Sequence, residues 1–266
     1  MPEKILIVED EAKLARFVEL ELMHEGYQVE KSPDGRDGLE KLESGAYDLA
    51  LLDIMLPGLN GLEVLRRVRH DFSVSHIPVI VLTARQGDDV HKLALTTGAN
   101  AYITKPFSSE ILMARIEQLL EEQRIFQRKM TLGVNDKTAG ETTAENKNED
   151  AYEQHLIKQD VEFVQRIQRI IEENLQDEDF RIDNLASEMG LSRSAFFKKL
   201  KSLTGFAPVD YVKEIRLVKA QHLIETTTLN ITEVAYAVGF RDASYFTKCF
   251  RQKYAMTPKE FRSRKC

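Results

Sequence analysis

The 266-residue sequence predicts an α/β doubly wound, five-stranded parallel sheet, then a flexible linker, then an all-α double helix-turn-helix region. Three observations predict this. Between Lys4 and Leu120, five short apolar runs alternate with stretches of helical apolar spacing. From Thr131 to Asp150 no apolar period exists. From Val161 onward only helical periods occur, and one pattern of Ala, Gly and polar helix start appears twice.

Lys4-Ile5-Leu6-Ile7-Val8 is a β-branched run, and it ends in Glu9-Asp10-Glu11. Ala12 to Glu25 has apolar residues at Leu14, Phe17, Val18, Leu20, Leu22 and Met23, close to helical spacing, and Gly26 stops it. Tyr27 to Glu30 is a short strand. Asp34 caps a helix carrying Leu39 and Leu42 that ends by Gly45. Leu49-Ala50-Leu51-Leu52 then runs straight into Asp53, with Pro57-Gly58 and Asn60-Gly61 following as turn signals. Asn60 caps a helix with Leu62, Leu65 and Val68. Pro78 to Thr83 is a fourth strand, Val90 to Thr97 a weaker helix, and Ala101 to Thr104 a fifth strand ending in Lys105-Pro106. Ser108 or Ser109 starts a last helix with Ile111, Leu112, Ile116, Leu119 and Leu120, which runs on to about Lys129. Strict alternation with right-handed crossovers makes the sheet parallel, with helices on both faces.

In such a sheet, ligands bind at the carboxyl ends of the strands. Glu9, Asp10, Asp53, Thr83 and Lys105 all fall there. Taken alone, Asp53 is an ion ligand, a nucleophile or a helix cap, and Glu9-Asp10 could simply cap the first helix. Taken together, three carboxylates in one pocket repel each other and imply a cation. Oxygen ligands without His or Cys suit Mg²⁺. With that charge screened, an Asp53 oxygen can attack phosphorus, Lys105 can meet another phosphoryl oxygen, and Thr83 offers a hydroxyl to a third.

The formal charge of −6 hides an asymmetry. Residues 1–125 hold 14 Lys/Arg against 22 Asp/Glu, a net of −8, while residues 191–266 hold 15 against 6, a net of +9. An acidic front and a basic rear point to nucleic acid as the partner of the rear. Cys249 and Cys266 form neither a metal spacing nor a disulfide framework, which fits a reducing cytoplasm. The apolar runs are far shorter than the roughly 20 residues that span a bilayer. Met1-Pro2-Glu3-Lys4 contains no apolar signal core, so the expected location is cytoplasmic.

Thr131 to Asp150 is rich in Thr, Gly, Asn, Asp, Lys, Ala and Glu, a composition too polar to offset its ordering entropy. The expected organisation is residues 1–125, a linker over 126–158, and residues 159–266. Val161, Val164, Ile167, Ile170 and Ile171 mark a packing helix. Ile182 to Leu200 and Ile231 to Phe250 then share one pattern 49 residues apart: an apolar start, Ala four residues on (Ala186, Ala235), Gly eight residues on (Gly190, Gly239), a polar cap and a helix. Ala permits close helix approach and Gly the tight turn, the pattern of a helix-turn-helix. Pro208 to Glu225 is a long helix between the two.

Residues 3–122 resemble a response-regulator receiver domain (CheY-like) through Ile7-Val8-Glu9-Asp10, Leu52-Asp53-Ile54-Met55-Leu56-Pro57-Gly58, Leu82-Thr83-Ala84 and Lys105-Pro106-Phe107. The resemblance implies that a histidine kinase phosphorylates Asp53. It also implies that Glu9, Asp10, Asp53 and the backbone carbonyl of Met55 hold Mg²⁺, and that Lys105-Pro106 is a cis peptide. Thr83 and Tyr102 become a switch pair, Tyr102 turning inward as Thr83 moves toward the phosphoryl group. Beyond self-phosphorylation and slow autodephosphorylation of Asp53, no enzyme activity is implied. Met55 and Arg85, both bulky and neither a base, predict a phospho-lifetime of minutes to hours.

Residues 159–264 resemble an AraC-type DNA-binding domain through Thr204-Gly205-Phe206-Ala207-Pro208, Arg216-Leu217, Val238-Gly239-Phe240, Ser244-Tyr245-Phe246 and Thr257-Pro258-Lys259-Glu260-Phe261-Arg262. Ala255 departs from it, standing where the family usually has Gly, and implies a strained turn. The resemblance implies that two recognition helices enter successive major-groove segments about 34 Å apart. Arg193, Ser194, Phe197 and Lys198 face outward on the first, and Asp242, Ala243, Ser244, Thr247 and Lys248 on the second. Lys199, Lys201, Arg241, Arg251 and Lys253 are candidates for phosphate contacts, and Cys249 for packing. From His76 onward the receiver resembles those fused to AraC-type domains in hybrid sensors, whereas residues 3–70 are more similar to OmpR-type receivers.

The function expected is a two-component response regulator controlling transcription. Its partners would be double-stranded DNA, a cognate histidine kinase, RNA polymerase and a second copy of the chain on phosphorylation, with no membrane. A DNA-binding regulator independent of phosphate, and a Mg²⁺-dependent phosphohydrolase, are the alternatives. The lack of a general base near Asp53 and the basic rear argue against the latter.

Overall fold

The computed structural model describes residues 2–44, 47–84, 97–132, 150–176, 180 and 182–264. The chain divides into two compact units, Met1–Val161 with Ser202–Gly205, and Glu162–Lys201 with Phe206–Cys266.

In the first unit, β1 (Lys4–Val8), β2 (Gln28–Ser32), β3 (Leu49–Asp53), β4 (Val79–Thr83) and β5 (Ala101–Thr104) form a parallel sheet in the order β2-β1-β3-β4-β5. Each apolar run supplies both faces, because successive strand residues point opposite ways. Leu6, Val8, Ala50, Leu52, Val79 and Val81 face α2 (Gly35–Ser44) and α3 (Gly61–His70), which contribute Leu39, Leu42, Val64, Leu65 and Val68. Ile5, Ile7, Leu49, Leu51, Ile80 and Leu82 face α1 (Ala12–His24) and α4 (Ser109–Leu132), which contribute Ala15, Val18, Leu22, Leu112, Ile116 and Leu119. Each buried Val, Leu or Ile side chain among these stabilises the unit by about 1.5–3 kcal/mol before entropy is counted. The caps follow the sequence. Asp34 Oδ1 accepts from the amides of Arg36 (2.9 Å) and Asp37 (3.0 Å), Asn60 Oδ1 from Leu62 (2.9 Å), and Ser108 Oγ from Ile111 (3.3 Å).

Three features of the structure differ from the sequence expectation or add to it. On α1 the stripe facing the sheet is Ala15-Val18-Leu22, while Phe17, Leu20 and Met23 are exposed. A helix presents one stripe to a sheet, and residues two positions apart lie about 200° around the axis. Second, α4 extends to Leu132, and the next helix, α5, begins at Asp150, well ahead of Val161. Third, Arg69 on α3 is buried. Its Nε donates to Gly98 O (2.6 Å), its Nη1 to Ser75 O (3.2 Å) and Ile77 O (2.9 Å), and its Nη2 to Asn100 Oδ1 (2.8 Å). Asn100 Oδ1 also accepts from the Val79 amide (2.9 Å), so one guanidinium fixes the starts of β4 and β5. The helix expected over Val90–Thr97 lies outside the described residues except for Thr97, as does Arg85.

The second unit is helical: the end of α5 (Asp150–Glu173), α6 (Ile182–Glu188), α7 (Arg193–Thr204), α8 (Pro208–Thr226), α9 (Ile231–Ala237), α10 (Ala243–Tyr254) and α11 (Pro258–Ser263). The two repeated segments make the same turn. Gly190 donates to Ser187 O (3.0 Å) and Leu191 to Ala186 O (3.0 Å); Gly239 donates to Tyr236 O (3.0 Å) and Phe240 to Ala235 O (2.9 Å). Phe240, Phe246, Phe250, Val234 and Leu217 form the core of the second repeat, with Cys249 packed among them as expected. Capping boxes at Asn230/Glu233 and Thr257/Glu260 start α9 and α11.

Ala255 caps α10 in the left-handed region, at φ 56°. An L-residue there pays a steric cost that Gly avoids, partly offset by the greater freedom Gly has when unfolded. Ala255→Gly is expected to stabilise the second unit by about 0.5–1 kcal/mol. Calorimetry of the full chain checks this, and a lowered or unmoved transition would contradict it.

Candidate functional site

The end of β1 brings Glu9 and Asp10 to the carboxyl edge of the sheet, the end of β3 brings Asp53, the end of β4 brings Thr83, and the residue after β5 is Lys105. Glu9, Asp53 and Thr83 are buried, and Asp10 is exposed. A carboxylate oxygen from each of Glu9, Asp10 and Asp53 lies within 4.8 Å of the others. Lys105 Nζ bridges two of them, at 2.6 Å from Glu9 Oε2 and 2.6 Å from Asp53 Oδ2. The other Asp53 oxygen accepts from the Met55 amide at 3.0 Å.

Burial pushes the Glu9 carboxyl above its ordinary range; the Lys105 hydrogen bond opposes this and the Asp53 charge adds to it. Burial pulls the Lys105 ammonium down, but its bonds to Asp53 and Glu9 outweigh that and hold it above its ordinary value. The pocket therefore holds more negative charge than one ammonium compensates. Its donors are all hard oxygens, with no His or Cys, and they fit a divalent cation of the magnesium type.

The backbone tightens this site further. Ile54 donates to Leu82 O (3.2 Å) and the Lys105 amide to Thr83 O (2.8 Å), so the β3–β4–β5 edge is held in register. A Cβ added at Gly61 would stand 1.9 Å from the carbonyl oxygen of Asp53. Gly61 is thus a site residue that the sequence shows only as half of an Asn-Gly turn signal. Lys105-Pro106 is cis. Tyr102 is half-buried and packs against the cluster on the α2/α3 face, while the Met55 side chain is exposed beside Asp53.

In the second unit, Arg193, Ser194, Phe197 and Lys201 on α7 are exposed and Lys198 is half-buried. The Arg193 guanidinium pairs with Asp183 across the turn, at 3.2 Å. On α10, Ser244 and Lys248 are exposed. Ala243 and Thr247 are half-buried, and Thr247 Oγ1 donates to Ala243 O (2.8 Å). Asp242 is exposed, but its carboxylate caps the helix, accepting from the Tyr245 amide at 2.5 Å.

One candidate phosphate contact is corrected. Lys199 is fully buried, with its ammonium 5.6 Å from the centroid of the Phe163 ring. Helical spacing places it one residue from Leu200 and three from Phe196, on the packing side. Lys253 is paired with Glu214 of α8. Lys201, Arg241 and Arg251 are exposed as expected. Among the described residues, no helix is long and apolar enough to cross a membrane.

Residues 5–117 match the response regulator receiver domain family, and residues 185–264 match a helix-turn-helix domain family. The chain is 32% identical over 260 residues, 98% of its length, to a protein named Histidine kinase P4 from Formosa agariphila, of which it spans 18%. It is 53% identical over 121 residues, 45% of its length, to the response regulator ArlR of Staphylococcus saprophyticus, of which it spans 53%. Thus the chain spans about half or less of these curated relatives. A CheY-like receiver domain protein from Methanospirillum hungatei superimposes with a TM-score of 0.45 at 32% identity, covering 47% of this chain and 98% of that one. Residues 5–117 are a response regulator receiver domain, and residues 185–264 of the same chain are an AraC-type helix-turn-helix domain.

Proposed function

We propose that this chain is a cytoplasmic two-component response regulator. A histidine kinase transfers a phosphoryl group to Asp53, and that event controls sequence-specific DNA binding and transcription. The domain limits proposed are 1–125 for the receiver, 126–158 for the linker and 159–266 for the DNA-binding domain. The observation that carries the reading is the Glu9–Asp10–Asp53 carboxylate cluster bridged by Lys105.

The Asp53 oxygen that Lys105 holds, Oδ2, attacks phosphorus; an O–P bond forms as the bond from phosphorus to the donor nitrogen breaks, and the nitrogen keeps the electron pair. Lys105, already 2.6 Å from Oδ2, exchanges its carboxylate contact for a phosphoryl oxygen. The Met55 amide holds Oδ1 and so fixes the rotation of the carboxylate. Glu9, Asp10, Asp53 and the Met55 carbonyl would hold Mg²⁺, whose charge would neutralise what accumulates on the phosphoryl oxygens. Thr83 offers its hydroxyl to a phosphoryl oxygen, and Tyr102 repacks into the space that Thr83 leaves, turning a local charge into a change of surface. RNA polymerase, and a second copy of the chain after phosphorylation, are the partners through which that change acts.

Labelling of the full chain with acetyl phosphate in Mg²⁺ tests the site. Wild type takes up one phosphoryl group per chain and Asp53→Ala none; equal uptake by both would overturn the assignment.

For the DNA side, Arg193, Ser194, Phe197 and Lys198 of α7, with Asp242, Ala243, Ser244, Thr247 and Lys248 of α10, are the proposed reading faces, and Lys201 a phosphate contact. Lys248→Ala is expected to change the ranking of DNA sequences, whereas Lys201→Ala lowers affinity for all of them and reduces the salt slope by about 1. Binding measured across a set of duplexes and salt concentrations checks both; unchanged ranking in Lys248→Ala would contradict the first.

A further inference from the structure

We infer that the helix-turn-helix unit holds a second site, a cavity between α8 and the start of α10 that takes a small aromatic carboxylate. The cavity has a volume of about 470 Å³, within the range of small-molecule sites. Its walls are Val209 and Val212 of α8, Phe240 of the α9–α10 turn, and Tyr245 of α10. The Phe240 and Tyr245 rings lie 6.1 Å apart and tilted by 51°, so they present a cornered aromatic wall. Val209 is 65% exposed and Tyr245 54% exposed, so an apolar rim faces solvent on both sides of the mouth. A flat apolar body inserted there removes that rim from water.

The charges set the other end of the ligand. Lys213, Arg216 and Arg241 line the cavity, against the two carboxylates of Asp210 and Asp242. Both carboxylates have partners: Asp210 is 2.7 Å from Lys213, and Asp242 caps α10. The lining therefore carries one more positive than negative charge, and with Lys213 and Asp210 paired to each other the excess lies with Arg216 and Arg241 against Asp242. An anionic head complements it, and planar guanidinium groups suit a carboxylate. Arg241 and Asp242 also lie at the start of the proposed second recognition helix. A ligand touching them is coupled to DNA binding, and by linkage each weakens the other.

The test uses the full chain and 2-naphthoate as the probe, with naphthalene-2-carboxamide as its uncharged counterpart, followed by titration calorimetry. Saturable binding of one naphthoate per chain is expected, weaker by about tenfold or more for the carboxamide and for Val209→Glu, which puts a like charge at the mouth. Val209 is exposed, so the variant keeps its fold, checked by an unchanged circular dichroism melt. Val218→Glu alters an exposed valine of α8 outside the cavity and leaves binding unchanged. Saturating naphthoate lowers affinity for a mixed-sequence duplex at low salt several-fold. No saturable binding, equal binding of the carboxamide, or full affinity in Val209→Glu overturns the site; undiminished DNA affinity overturns the coupling. Neither arm involves phosphate, so the outcome is separate from that at Asp53.

Discussion

Lys105→Ala is expected to destabilise the sheet unit by on the order of 3 kcal/mol in magnesium-free buffer at neutral pH, because it leaves two buried carboxylates without their shared cation. Glu9 and Asp53 lie deep at the strand ends, and Lys105 reaches both at 2.6 Å. Burial already pushes Glu9 above the ordinary carboxylate range, and the lysine is what opposes it. Without the lysine the folded-state carboxyl rises further above its unfolded value. The sign follows: the deficit is small at acid pH, where the Glu9 carboxyl is protonated in both states, and grows as pH rises past the ordinary carboxylate range. Added Mg²⁺ recovers more stability in the variant than in wild type, since a cation that binds the folded site stabilises it more the tighter it binds there. Denaturant midpoints with and without Mg²⁺ measure both effects. An unchanged midpoint at neutral pH, or equal Mg²⁺ gains in the two proteins, would contradict this account of the pocket.

Gly239→Ala is expected to cost the helical unit on the order of 3 kcal/mol, the sum of backbone strain and overpacking. Gly239 sits at φ 80°, a conformation that L side chains rarely adopt. A Cβ there would stand 2.0 Å from Leu175 O and 2.8 Å from Arg216 Nη2. The turn links α9 to α10, so relief of the clash displaces the second recognition helix. The equivalent change at Gly190, φ 67°, meets nothing within 4 Å and carries the strain alone. Gly190→Ala is therefore the milder of the two, by roughly the overpacking share of 1–3 kcal/mol. Thermal unfolding of both variants checks the order, and a larger loss at Gly190 would contradict it.

The strands were legible because fully buried parallel strands leave continuous apolar runs, as Leu49 to Leu52 and Val79 to Leu82 do. The site was legible for the same reason: a polar residue ending such a run has nowhere to sit but the sheet edge, which places Glu9, Asp53 and Thr83 together. Helix faces were harder. Ala15 counts little in an apolar tally, yet it lies on the buried stripe of α1, while Phe17, Leu20 and Met23 do not. Long polar side chains were hardest, because their partners are distant in sequence. Nothing near Arg69 announces Gly98 and Asn100, and nothing near Lys199 announces the Phe163 ring. Gly61 was visible as a turn residue, but its close approach to Asp53 O is a fact of the folded backbone. The two glycine turns of the helical unit were readable from their repetition.

In the function proposed, phosphorylation of Asp53 controls DNA binding by the second unit. Capture of genomic DNA fragments by the full chain, with and without acetyl phosphate and Mg²⁺ and beside Asp53→Ala, tests it most directly. A discrete set of fragments is expected to be enriched several-fold on phosphorylation of wild type, with Asp53→Ala held at the unphosphorylated level. The same fragments bound to the same extent in every arm would contradict it.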